Sequence, residues 1–237
     1  MSGIFNYDNP VWRFIGKFAD IILLNILWLI CSIPIFTIGA STTAVYYVTM
    51  KLARNDEDYT VKSFFRSFKE NFKQATIIWI VFLIVGAVIG VDFYFFLRVQ
   101  TTASAFRTVM LAVFGGFSII YICMMIYVFP LLSRFYNPVK RTIFNAFFMS
   151  MRHFLMTIGI LVIDGGVIAL CLFAPMILIL FGLMGFPLLA FINSFFFNSI
   201  FAKYMPKEET EQDGELRPLF ADEEADASEE TGTNKEQ

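Results

Sequence analysis

Between Phe18 and Met50 the chain carries a single charge, Asp20. Four more long apolar runs follow, at 75–97, 108–133, 154–180 and 181–202, and of these only the first and third hold a charged residue, Asp92 and Asp164. A bilayer core of about 30 Å needs about 20 residues of helix to cross it. A soluble domain of this length has no interior in which to hide so many such runs. The pattern therefore predicts an all-α fold, a polytopic transmembrane helical bundle with about six membrane segments. They are placed at 18–34, 35–50, 75–97, 105–132, 155–180 and 182–202, within a membrane domain spanning 1–205.

The first run is too long for one crossing: 33 residues of helix reach about 50 Å. Pro34 and Gly39 stand in its middle, and a proline removes a backbone donor and clashes with the preceding turn. Both are candidate helix breaks, so 18–50 is expected to cross twice or to dip in and return as a hairpin. Its second half, rich in small and hydroxyl residues, suits packing against protein rather than lipid. Two other stretches are amphipathic. In 61–73, Lys62, Arg66, Lys69 and Lys73 share one helical stripe, with Phe64, Phe65, Phe68 and Phe72 beside it. This is the pattern of an interfacial helix, its cations at the lipid headgroups. The stretch 140–153 repeats the arrangement 79 positions later, with Arg141, Asn145 and Arg152 for Lys62, Arg66 and Lys73. Such a repeat is of the kind found in transporter folds.

Charge sets the expected orientation. Residues 1–205 hold 15 Lys/Arg and 8 Asp/Glu, a net of +7, whereas 206–237 holds 3 basic and 12 acidic residues, a net of −9. The formal net charge of −2 hides this division. Basic residues crowd the 51–74 and 134–153 loops and follow the last run, as the cytoplasmic loops of membrane proteins do. If 18–50 doubles back, every basic loop lies on one side, and both termini are expected to be cytoplasmic in a multi-pass protein of the cell membrane. The acidic tail buries too little surface to offset its ordering entropy and is expected to be disordered. The N-terminus does not read as a cleavable signal peptide, because its first apolar run begins late, is long, and lacks a small-residue cleavage site after it.

The chemistry-bearing residues are few. The P-loop, HExxH and GxSxG patterns are absent, and Cys31, Cys123 and Cys171 with the single His153 form no metal-ligand spacing. The expectation is no enzyme activity, no metal and no cofactor. Asp164, followed by Gly165 and Gly166, is the leading candidate: either a proton, cation or solute-hydroxyl site, or an acid that fixes helix packing. Asp20 is expected to pair with Arg13 or Lys17 near the inner interface. Asn25 and Asn193 read as interhelical hydrogen-bond formers. Gly86–Gly90 and Ala40–Ala44 offer close-packing faces for a contact within the chain, with a partner or with a second copy. Trp12 and Trp79 are plausible interface anchors. The Phe faces beside the basic stripes point to membrane lipid and away from nucleic acid.

Residues 19–79 carry a resemblance. Asp20, Leu24–Asn25, Trp28, Pro34, Thr37, Gly39, the Ala-Tyr-Tyr stretch at 44–47, and Phe64–Phe65, Phe68 and Asn71–Phe72 resemble the signature of the YesL-like family of bacterial integral membrane proteins. The resemblance implies a role linked to carbohydrate uptake and nothing firmer; subunits of sugar ABC transporters, membrane lipid and a second copy of the chain are the partners considered. It transfers no catalytic or binding residue. Two functions follow as expectations: an accessory or regulatory component of such uptake, or a small solute transporter in its own right. A lipid-organising role is a third.

Overall fold

A computed structural model describes residues 10–56, 59–99, 105–173 and 175–205, with side chains described except at 10–14, 99 and 175–183. The acidic 206–237 segment, the side chains of Trp12 and Arg13 and the tip of the loop after 97 lie outside the described residues. The described elements are seven α-helices: α1 Pro10–Cys31, α2 Ile38–Ala53, α3 Thr60–Tyr94, α4 Ala105–Arg134, α5 Val139–Arg152, α6 Phe154–Phe173 and α7 Pro175–Phe201. A 3₁₀ turn at Ile35–Thr37 precedes α2, and a π-helical turn at Phe95–Val99 ends α3. The protein is an all-α bundle. Four stretches, Thr60–Arg98, Ala105–Arg134, Phe154–Phe173 and Met184–Phe201, are long and apolar enough to cross a membrane.

The 18–50 run is broken at Pro34 and doubles back. The helix ends at Cys31, and the Thr37 hydroxyl lies 2.6 Å from both the Cys31 and the Pro34 carbonyls, so that it donates at the broken helix end. The Trp79 indole N–H donates to the Ile35 carbonyl at 2.8 Å. Backbone acceptors freed by a proline thus regain partners, which a helix break in an apolar setting requires. The return is fixed at the other end. Lys17 Nζ donates to Asn55 Oδ1 at 2.6 Å, bringing the start of α1 beside the turn after α2. Gly39, grouped above with Pro34 as a break, lies inside α2. Its lack of a side chain serves packing: a Cβ there would stand 2.7 Å from the Ala75 carbonyl oxygen and 2.7 Å from Trp79 Cβ. Trp79 is accordingly a structural donor at the break.

α2 is the hub, packed against α1, α3, α4 and α7. Residues from Gly39 to Lys51 are buried on every face. Ala40 and Ala44 are fully buried, so their small-residue face is spent inside the chain. Gly86 likewise receives Tyr121, whose hydroxyl donates to the Phe82 carbonyl at 3.0 Å. Tyr46, Tyr127 and Phe201 each pack against Phe197, forming an aromatic core where α2, α4 and α7 meet.

Residues 61–73 are not a separate interfacial helix. They form the first part of α3, an unbroken helix of 35 residues. Gln74 and Ala75 supply no breaker, so the hydrogen-bond ladder runs through. The inward face, with Phe64, Ser67 and Asn71 buried, packs into the protein, whereas Phe65 and Phe72 remain exposed. The stretch 140–153 behaves differently. α5 ends at His153 (φ −106°, ψ 41°), which separates it from α6. The two stretches still share a burial pattern: Ser63, Ser67 and Asn71 face inward, as do Thr142, Ala146 and Ser150, each 79 positions later. Asn145 breaks the match, being buried where Arg66 is exposed.

The basic loops gather at one end of the bundle. Asn198 donates to the Met50 carbonyl at 3.0 Å, Arg134 reaches Met205 Sδ at 3.4 Å, and His153 Nε2 meets the Tyr204 hydroxyl at 3.0 Å. These contacts place the ends of α2, α4, α5 and α7 together. At the opposite end α6 stops at Phe173, earlier than the 180 expected. Pro175 opens α7, at a helix start where a missing backbone N–H costs nothing.

Candidate functional site

α7 is interrupted. Gly185 has φ +43°, a left-handed backbone in which glycine avoids the steric cost of a Cβ. The buried Asn25 of α1 sits against this break, its Oδ1 in the space a Gly185 Cβ would need. Trp28, one turn on, stacks on Phe186 at 5.2 Å and donates to the Thr42 hydroxyl at 3.3 Å. Asn25 and its neighbours therefore hold the break in place, a role its apolar surroundings in the sequence did not reveal.

Eight residues beyond the break, Asn193 Nδ2 donates to Asp164 Oδ1 at 2.9 Å, joining α7 to α6. Asn193 is 1% exposed, and its own Oδ1 has no hydrogen-bond partner. The buried Tyr46 hydroxyl of α2 interacts with both Asp164 and Asn193, although it makes no bond of ordinary geometry to that orphan oxygen. A polar ladder continues along the α2–α7 contact, with Ser194 donating to the Thr49 hydroxyl at 2.9 Å. The Tyr46–Asp164–Asn193 cluster is thus rich in acceptors. A buried acceptor without a donor costs about 1–3 kcal/mol, a cost that falls here on Asn193 Oδ1 alone.

Asp164 is half-buried, and its neighbours are uncovered. Gly165 and Gly166 are exposed, and a Cβ at either would meet no heavy atom within 4 Å. Among the described residues no backbone approaches the carboxylate over these glycines, and the space above them is open. The rest of α6 is similarly open: Leu155 is 84% exposed, Leu172 78% and Phe173 89%.

The other candidates fall elsewhere. Asp20 accepts from the Thr60 hydroxyl at 2.7 Å, at the first residue of α3, while Lys17 serves Asn55. The expected Asp20–Lys17 pairing gives way to a tie across the α2–α3 turn. A carboxylate beside the start of a helix is also favoured by the helix dipole. Lys62, Arg66, Lys69 and Lys73 are all exposed, and Arg66 bonds Glu70 at 3.1 Å within its own helix. They form a basic stripe far along the chain from Asp164, on the end where the loops gather. The three cysteines are free thiols on α1, α4 and α6. Tyr46 and Gly185 were missed as site residues. Tyr46 stood in the quoted family stretch, but nothing local linked it to residues 118 and 147 positions away.

Comparison with known proteins places this architecture. Residues 21–93, from α1 through α3, match the family described as "Protein of unknown function, DUF624". The "Uncharacterized protein YesL" of Bacillus subtilis (strain 168) is 26% identical over 185 residues, which cover 76% of this chain and 86% of the relative. The chain is YesL-like in sequence. No solved structure matches it. The family match covers both the Pro34 break and its partners Thr37 and Trp79. Asp164 and Asn193 lie beyond the residues that match the family.

Proposed function

We propose that the protein is an accessory or regulatory component of a membrane assembly, held by four spans and the α1–α2 hairpin, with its basic end cytoplasmic. The observation that carries this reading is the open side of α6. A half-buried carboxylate stands beside two glycines with no neighbour, in a helix whose outer surface is otherwise apolar. Asp164 accepts from Asn193, and lipid tails would cover the apolar surface around it but offer its uncovered part no further donor. A transmembrane helix of a partner supplies both, since small residues let backbones approach and polar side chains bond across helices. The family resemblance supports carbohydrate uptake as the setting, with subunits of a sugar ABC transporter as the partner.

A second reading, a solute transporter in its own right, draws support from the break at Gly185 and the orphan acceptor of Asn193. Interrupted helices beside a buried acid are a feature of transporter sites. One experiment separates the two. A tagged chain is purified from native membranes in mild detergent, and co-purifying proteins are identified by mass spectrometry. Stoichiometric permease or ATPase subunits, lost on Gly165→Leu and Gly166→Leu together, are the expected result. Recovery of the chain alone, with sugar uptake into liposomes abolished by Asp164→Asn, would refute the accessory role and establish transport.

A further inference from the structure

Where α5 lies across α4, a cleft of about 370 Å³ opens, lined by Met124, Lys140, Ile143, Phe144 and Phe147. Its size falls within the roughly 300–1,000 Å³ of small-molecule sites. Four of the lining residues are apolar, and the fifth is a cation in the first turn of α5. Lys140 is exposed and has no ion-pair partner among the described residues. No Asp or Glu occurs between Arg134 and His153, so its own segment offers no acid to neutralise it. Met124 lies ten residues before Arg134 on α4, about 15 Å along the helix axis. The cleft therefore sets a cation of α5 beside the apolar length of a span. On its outer side Phe144, itself exposed, packs against Phe148 with ring centroids 4.4 Å apart.

An occupant must satisfy both ends. It needs a negative group at Lys140 and a flexible apolar body along Met124, Ile143 and Phe147, and it must arrive from the bilayer. We propose that the α4–α5 cleft binds an anionic phospholipid, with one acyl chain along α4 and the phosphate on Lys140. Free phosphate meets only the cation, and a lipid without net charge meets only the apolar wall. Long basic side chains at a membrane boundary hold headgroups while their stems lie on apolar surface. The break at His153 separates α5, four of whose residues line the cleft, from α6.

The test uses the full chain in phosphatidylcholine vesicles doped with phosphatidylglycerol that carries a photoactivatable group in mid-chain. Adducts are mapped by mass spectrometry after illumination. The expected result is labelling concentrated on the stretches around Met124 and Ile143–Phe147, above that on the equally exposed α6. Lys140→Gln should lower that labelling about fivefold, the effect of one basic residue at an anionic surface. Ile143→Trp fills the cleft while leaving the charge, and should abolish labelling there with binding elsewhere unchanged. Lys140 is exposed, so its variant tests the site even where Ile143→Trp fails to fold. Even labelling of α4–α5 and α6, equal labelling from a phosphatidylcholine probe, or displacement by inorganic phosphate alone would each overturn the proposal.

Discussion

Replacing Gly39 with Ala should unseat the contact between α2 and α3. The added methyl would stand 2.7 Å from the Ala75 carbonyl oxygen, 2.7 Å from Trp79 Cβ and 3.1 Å from Phe129 Cε1. Two of these three atoms belong to or adjoin the α3 backbone and cannot rotate away, so the helices must part by about 0.7–1 Å to restore ordinary contact. Overpacking of this kind costs about 1–3 kcal/mol. The shift also strains the 2.8 Å bond from Trp79 to the Ile35 carbonyl, worth about 1 kcal/mol. Against this, Ala gains about 0.5–1 kcal/mol over Gly inside a helix. The net is a loss of about 1–3 kcal/mol, which for a chain of this size lowers the midpoint by roughly 3–10 °C. The buried free thiols of Cys123 and Cys171 give the assay: thermal unfolding in detergent, followed with a thiol-reactive fluorogenic dye. Gly90→Ala is the control, because nothing lies within 4 Å of its Cβ position. Equal stability of Gly39→Ala and the wild type, or an equal loss in Gly90→Ala, would refute the reasoning.

Other outcomes follow from the same contacts. Asp164→Leu removes the acceptor of Asn193 and leaves that carboxamide with neither end bonded, so it should cost about 1–3 kcal/mol, whereas Asp164→Asn keeps an acceptor and should cost less; the same dye assay ranks them. Thr37→Val deletes the donor at the Cys31 and Pro34 carbonyls and should destabilise by about 1 kcal/mol, with Thr37→Ser retaining most of the stability. His153 is held below its usual pKa by partial burial first, then by Lys203 and Arg152. The folded state therefore favours its neutral form, and its contact with Tyr204 is expected to hold above about pH 6.5 and to weaken as pH falls below that. Limited proteolysis after Tyr204 should accelerate on acidification, and His153→Gln should flatten that dependence. Cysteines placed at Lys17 and Asn55 should cross-link in native membranes; failure to do so would mean that α1 and α2 do not double back.

What could be read from the sequence was what local pattern controls. Apolar runs located the long helices, Pro34 marked the break, and the loop charges anticipated that the basic segments share one end. The break at Gly185 was harder, although Pro187 stands two residues beyond it. Its left-handed backbone lies within the 182–202 segment, against Asn25, 160 residues away in the chain. Continuity of α3 was missed because an amphipathic stretch and an apolar stretch have different patterns yet need no break between them. The candidate site was half legible. Asp164 stood out as a charge within an apolar run, and Asn193 as a polar group at depth. That they bond each other, beside Tyr46, depends on how α2, α6 and α7 come together, which no local pattern encodes. Asp20 shows the same limit: nothing local linked it to Thr60, 40 residues on, from whose hydroxyl it accepts.

The unbroken length of α3 has a mechanical consequence. At 1.5 Å per residue its 35 residues form a rod of about 52 Å, with no joint where the apolar stretch gives way to Lys73. Spans adjust to bilayer thickness by tilting. A change in tilt of about 10° around Ala75 would carry Thr60, some 22 Å away, sideways by about 4 Å. Thr60 is tied to Asp20, so the displacement passes directly to α1. The thickness of the surrounding membrane is thereby converted into a lateral position at the basic end of the molecule.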